Sequence, residues 1–194
     1  MKRLGKSGNQ MVITRLDEDG PLIIQAEPHQ DERGFFMREF CHRELVNVQS
    51  ISFLPVQANT SLSKTKGTVR GLHLQVNEKT ESKLVKVAQG KIFDVCVNLN
   101  QKSNNFGKVY TVELDDNSGI SFHIPRWFAH GFQTLTDNTK VSYLVDNFYD
   151  RNAEIGLLWN DIDLKIKWPT EVTEISPKDL RNLTFKEFKK LNYE

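Results

Sequence analysis

The chain has 194 residues, 38% hydrophobic and 26% charged, and its 26 Lys and Arg against 25 Asp and Glu leave a net charge of +1. That balance excludes a globally basic nucleic-acid binder and an acidic tail, and no apolar run approaches the ~20 residues of a spanning helix. Length points to one domain over 1–194 with a core of its own. Residues 1–11 read as a loose extension; the start, MKRLGKSGNQMVITRL, is basic but has no apolar centre and is not a secretory leader. Of the two cysteines, Cys41 and Cys96, the second lies in the apolar run VCV and reads as a small core residue, so a reducing, cytoplasmic setting is expected.

In chain order, HRELVNV (42–48) is expected to form a short helix, and GTVRGLHLQ (67–75) a strand. KLVKV (83–87) is strand-like, AQGK (88–91) a turn, and IFDVCVNL (92–99) a strand with Phe93, Val95, Val97 and Leu99 on one face. Polar loops at 100–107 and 115–119 separate further strands at 109–114, 120–124, 132–136 and 140–145. Short strands between turn signals predict an all-β sandwich or barrel rather than βαβ units. One longer helix is predicted at the C-terminus, about 176–190, with Ser176 as N-cap, Pro177 at the first helical position and Asp179 three after the cap. Leu180, Leu183 or Phe185, and Phe188 would face inward.

The residues able to carry chemistry are polar groups on otherwise apolar strands. Period two places Val69, Gly71, His73 and Gln75 on one face and Arg70, Leu72 and Leu74 on the other; glycine inside a strand marks a bulge or a close approach. His73 is open to two readings, a hydrogen-bonded core histidine or a functional one. A metal site of the His-x-His kind is disfavoured, because the partner position is Gln75. Tyr143, Val145, Asn147 and Tyr149 share a face, and that tyrosine would matter if it met a histidine across a pocket. Asp179 is explained structurally by the Ser-x-x-Asp cap, and the AHG turn in IPRWFAHGF (124–132) either brings His130 near a pocket or closes a loop.

Taken in order, DERGFF (31–36), VQANTS (56–61), VRGLHLQ (69–75), KLVKVAQGKIFDVCV (83–97), IPRWFAHGF (124–132), the Tyr143 strand, AEIGLLWND (153–161), IKWP (166–169) and SPKD (176–179) resemble the nucleotide-sugar 3,5-epimerases over about Val12 to Leu183. Each motif is weak alone; the ordered set is specific. The resemblance implies a cupin-type jelly-roll with short peripheral helices, a homodimer, and no metal or other cofactor. Its substrate would be a nucleotide-diphospho-4-keto-6-deoxyhexose, with neither nucleic acid nor membrane as partner. By the same resemblance His73 is the base, Asp179 its orienting carboxylate, Tyr143 the proton donor on the opposite sugar face and Lys83 the cation near the 4-keto oxygen. Arg33, Gln57, Asn59, Arg70, His130, Glu154 and Lys178 match positions that hold the nucleotide diphosphate and sugar.

Those residue types suit the chemistry. The protons on carbons 3 and 5 are acidic because a ketone lies between them, and a histidine, ordinarily near pKa ~6.5, can remove one. The enolate needs a cation at the 4-oxygen, and reprotonation from the other face needs a second acid. Two departures from the family pattern touch binding. Arg38 stands where an acid for the nucleotide base is expected, with Glu39 one position later, and Trp127 replaces a glycine, as a stacking wall or as filler. Asp94 is the next candidate should Asp179 prove structural. A single 3-epimerase, a non-catalytic sugar-nucleotide binder and a metal-dependent cupin enzyme are the competing readings.

Overall fold

The computed structural model describes residues 2–4, 11–47 and 51–191. The chain runs through β1 (Lys2–Leu4), β2 (Met11–Arg15), β3 (Leu22–Ala26), a hairpin of β4 (His29–Asp31) and β5 (Gly34–Phe36), and helix α1 (His42–Val46). Next come β6 (Gln57–Ser63), β7 (Thr68–Gln75), β8 (Lys83–Gln89) and β9 (Lys91–Asn98). Strands β10 (Val109–Asp115), β11 (Ile120–Ile124), β12 (Phe128–Thr134) and β13 (Thr139–Val145) complete the body. The short β14 (Glu154–Gly156), β15 (Glu174–Ile175) and α2 (Phe185–Phe188) follow.

These strands make the jelly-roll that the turn-separated strand pattern and the resemblance lead one to expect. One sheet has the order β1-β2-β3-β11-β8-β13-β6, the other β10-β9-β12-β7-β14 with β15 parallel to β7. Between them pack Val85, Phe122, Ile124 and Val141 from the first sheet and Ile92, Cys96, Leu114, Phe128 and Phe132 from the second. The outer face of the second sheet is also covered. Leu72, Leu74, Val95, Val97 and Leu99 meet Leu157, Leu164, Phe185 and Phe188 of the C-terminal segment, with Phe93 packed alongside. Thus β9 is apolar on both faces, the composition of a strand with a layer on either side.

Two positions fix the local geometry of β7 and β12. His130 is opposite His73, yet Phe132 is opposite Arg70, so β7 carries one extra residue there, a bulge. Gly71 sits in it at φ +114°, and a Cβ would lie 2.6 Å from both the His130 carbonyl oxygen and Gly131 Cα. Only glycine permits that conformation and that approach.

Several expectations are corrected. Residues 2–4 are not loose: they pair with Ile13–Arg15 as a strand, and Met11 is a buried member of β2. Residues 1 and 5–10 lie outside the described set, as do 48–50 at the end of the expected first helix. The strand placed at 132–136 begins at Phe128 and ends at Thr134, so His130 is a strand residue and not part of a turn. The strand carrying Tyr143 stops at Val145, leaving Asn147 and Tyr149 in the loop beyond. The single C-terminal helix is broken into a 3-10 turn at Asp179–Arg181 and α2. Between them Leu183 donates to the Gly156 carbonyl and accepts from the Leu158 N–H, bonds that a continuous helix would forfeit. Thr184 and Glu187 then form a capping box that starts α2 afresh. Phe185 and Phe188 are buried as expected, whereas Leu180 is exposed.

Candidate active site

A cleft opens between the two sheets. Its larger lobe, about 810 Å³, is lined by Arg70, His73, Lys83, His130, Tyr143, Lys178 and Asp179. A smaller lobe of about 250 Å³ shares His73, Lys83 and Tyr143 and adds Gln57, Asn59, Glu81, Tyr149 and Glu154. The second sheet therefore contributes His73 and Arg70 from β7 and His130 from β12, and the first contributes Lys83 from β8 and Tyr143 from β13. Arg70 lies on the cleft side with His73, not opposite it. The bulge at Gly71 adds the residue that brings the two into phase.

The His73 Nε2 lies 2.5 Å from Asp179 Oδ1, and the other Asp179 oxygen accepts the Gly71 N–H at 3.3 Å. Ser176 Oγ accepts the Asp179 backbone N–H at 3.0 Å. Serine thus caps the turn, while the aspartate side chain is directed to the histidine. Burial pushes the Asp179 carboxyl up, but the hydrogen bonds from His73, Gly71 and Ser176 and the charge of His73 outweigh it and hold it below the usual carboxylate range. An ionised Asp179 accepts from Nε2–H, which leaves Nδ1 as the basic nitrogen of His73.

A second histidine–carboxylate pair lies on the neighbouring strands: His130 Nε2 is 2.8 Å from Asp94 Oδ1. Asp94 is fully buried with its other oxygen unpartnered, and burial drives its carboxyl up against the opposing pull of His130 and Lys83. Asp94 therefore serves His130 and is not an alternative partner for His73. Among the described residues no three His, Cys, Asp or Glu side chains converge as metal ligands.

Tyr143 is partly buried on the opposite wall, where burial, then Glu81 and Glu154, raise its phenol above the ordinary value while Arg70 acts the other way. Glu154 accepts from Lys178 at 2.5 Å and from the Tyr149 hydroxyl at 2.7 Å at the mouth of the cleft. Gln57 donates to Asn59 at 2.9 Å on the adjoining edge strand β6. Tyr149 and Glu81 are lining residues that the sequence reading did not single out as site members. Glu81 lies two residues before Lys83, in a loop with no motif to mark it.

Arg33 is not in the cleft. It stands on the β4–β5 hairpin, paired with Asp31 at 2.6 Å, and the hairpin's Phe35 and Phe36 are 61% and 68% exposed. Arg38 pairs with Glu44 at 2.9 Å, and Glu39 pairs with Lys86 on the outer face of the first sheet. Trp127 adopts φ +66° and packs on the outer apolar cluster beneath the C-terminal segment; it fills space and lines neither lobe.

Residues 15–187 match the family model described as dTDP-4-dehydrorhamnose 3,5-epimerase. The enzyme of that name from Methanothermobacter thermautotrophicus is 40% identical over 164 residues, 83% of this chain and 87% of the relative. The crystal structure of dTDP-4-dehydrorhamnose 3,5-epimerase from Elizabethkingia anophelis NUHP1 superposes with a TM-score of 0.88 at 34% identity, covering 92% of this chain and 98% of that one. A Legionella pneumophila dTDP-6-deoxy-D-glucose-3,5-epimerase, solved with dTDP-4-keto-L-rhamnose, gives 0.85 at 35% identity over 91% and 93%.

Proposed function

The chain belongs to the dTDP-4-dehydrorhamnose 3,5-epimerase family, and from that premise we propose that it inverts carbons 3 and 5 of a dTDP-linked 4-keto-6-deoxyhexose by proton transfer between its two sheets. The observation that carries the reading is one cleft with a carboxylate-backed imidazole on one wall and an ammonium and a phenol on the other. Nδ1 of His73 takes the proton from carbon 3 or 5, and the electron pair moves onto the 4-oxygen. Lys83 faces that oxygen and stabilises the enolate, charge against charge in a site of low dielectric. Tyr143 gives its proton to the opposite face of the same carbon, and solvent exchange afterwards returns both groups to their starting states. Asp179 keeps the imidazole in the working tautomer and stabilises its charged form, the part a carboxylate plays in a catalytic triad.

The larger lobe suits the diphosphate. Arg70 is held by Ser63 Oγ and the Leu62 carbonyl, which presents its guanidinium as a planar donor. His130 and Lys178 add further donors, and the smaller lobe offers Gln57, Asn59 and Glu154 to sugar hydroxyls. The pathway served is dTDP-rhamnose biosynthesis. No described helix is long and apolar enough to cross a membrane.

The homodimer and the role of Arg33 enter together. Arg33 cannot serve its own cleft from an exposed hairpin, so a second copy supplies it, with Phe35 and Phe36 as the apolar contacts. The deciding experiment is incubation with dTDP-4-keto-6-deoxyglucose in deuterated water, counting labelled carbons by NMR. Label at carbons 3 and 5, abolished in His73→Asn with nucleotide binding retained, is the expected result. Label at carbon 3 alone makes it a single epimerase, and no label makes it a binder.

A further inference from the structure

Glu81 has no step in the proposed reaction, yet it pairs with one group that does, Lys83, and shares a lobe with another, Tyr143. Its Oε1 is 3.3 Å from Lys83 Nζ, and both side chains are about nine-tenths buried. Its Oε2 accepts from Gln75 Nε2 at 2.9 Å. Gln75, two residues beyond His73 on β7, is itself fixed: it donates to the carbonyls of Lys79 and Phe148, and its Oε1 accepts the Asp150 N–H at 2.5 Å. The carboxylate, the ammonium and the Tyr143 ring line the same small lobe.

Resting on the epimerase reading, we propose that Glu81, moored by Gln75, is a positioning residue that aims the Lys83 ammonium and sets the electrostatic environment of the Tyr143 phenol. A lysine is a point charge on a flexible four-carbon stem, so an ammonium that must meet a single oxygen needs a partner to hold it. Buried without one, it would carry an uncompensated desolvation cost. The same carboxylate lines the lobe with Tyr143 and, after burial itself, disfavours its phenolate, so the alkaline limit of the phenol depends on Glu81. The other charged or titratable groups that line the two lobes with Tyr143 are Glu154 on β14, Arg70 and His73 on β7, Lys83 on β8, His130 on β12, Tyr149 in the loop after β13, and Lys178 and Asp179.

The test is Glu81→Gln, which keeps shape and removes charge. Tyrosinate absorbance is titrated for each protein and for its Tyr143→Phe counterpart, and the difference isolates Tyr143. The midpoint should fall by about half a unit or more, and turnover should fall several-fold at unchanged KM with the alkaline limb of the rate profile moved to lower pH. Glu81→Asp keeps the charge at shorter reach. It should hold the Tyr143 midpoint while turnover still drops, and it remains informative if the glutamine variant fails to fold. An unmoved midpoint in Glu81→Gln, or an equal shift in Glu81→Asp, overturns the proposal; so does a lowered melting temperature with rates and titration untouched. The titration needs no substrate, so a protein that epimerised nothing would still report on Glu81, and the two readings fail separately.

Discussion

Asp179 and His73 are 106 residues apart in the chain and 2.5 Å apart in the cleft. The aspartate's backbone N–H belongs to the cap made by Ser176, and its carboxylate belongs to the imidazole. One residue therefore joins a capped turn and orients an imidazole. Asp179→Asn separates the two parts, because Ser176 still caps the turn. Turnover should fall by ~10³–10⁴, as when a triad carboxylate is neutralised, while unfolding free energy falls by no more than a lost cap would cost, about 1 kcal/mol. Full activity in a stable Asp179→Asn protein would show the carboxylate to be structural.

Tyr143→Phe should lose net epimerisation more severely than it loses proton exchange from the His73 side. The base can still remove and return a proton on one face when the acid on the other is gone. The measurement is deuterium wash-in set against product formation in the same sample. Equal large losses in both would remove the division of labour between the two walls.

Arg33→Ala and His73→Asn should each be inactive alone and active when mixed and allowed to exchange subunits. A mixed dimer has one cleft with both an intact base and an intact hairpin from the other copy, so recovery should approach about a quarter of wild-type activity at statistical exchange. No recovery on mixing, with exchange shown by mass spectrometry, would place Arg33 outside the site.

His123 gives a prediction about stability. Both ring nitrogens are buried without hydrogen-bond partners, its ring meets Phe53 edge-on, and burial, aided by the charge of Arg15, lowers its pKa from 6.5 to about 4. The unfolded chain binds this proton from about pH 6.5 downward and the folded protein only near pH 4, so stability falls as pH falls through that window. His123→Phe should remove that loss, a difference of about 3 kcal/mol across the window, visible in denaturant melts at pH 7, 5.5 and 4. Parallel pH dependence in both proteins would refute it.

The strands were legible because both sheets are layered, so apolar residues alternate or run continuously where chain and burial agree. Cys96 and Val97 of one strand serve different layers, and the alternation survives. Reading failed where a local rule was overridden by a distant partner. Period two set Arg70 against His73, and the bulge at Gly71 reversed it; the glycine was the available sign. Ser-x-x-Asp read as a capping box, yet the aspartate had a histidine to meet on β7. The long C-terminal helix ignored Thr184 and Glu187, a second start signal three residues apart in the same segment. Arg33 matched its motif but lies on a hairpin that its own cleft does not use, a separation no single-chain pattern reveals. The four residues proposed for the reaction were named from ordered motifs, since their convergence in one cleft depends on the crossing of two sheets.

The imidazole and the phenol are borne by different sheets. On the proposed reaction, a sugar ring held between them would be a filling between two walls, losing a proton to one and gaining a proton from the other without turning over. The two walls belong to sheets spaced by the layer that holds Phe122, Cys96 and Phe128, and sheets packed in this way lie about 10 Å apart. Handedness at the sugar carbon would then be governed by the thickness of the protein's interior. Enlarging or shrinking a side chain in that buried layer would retune how evenly the two walls reach the ring, with every reacting residue left in place.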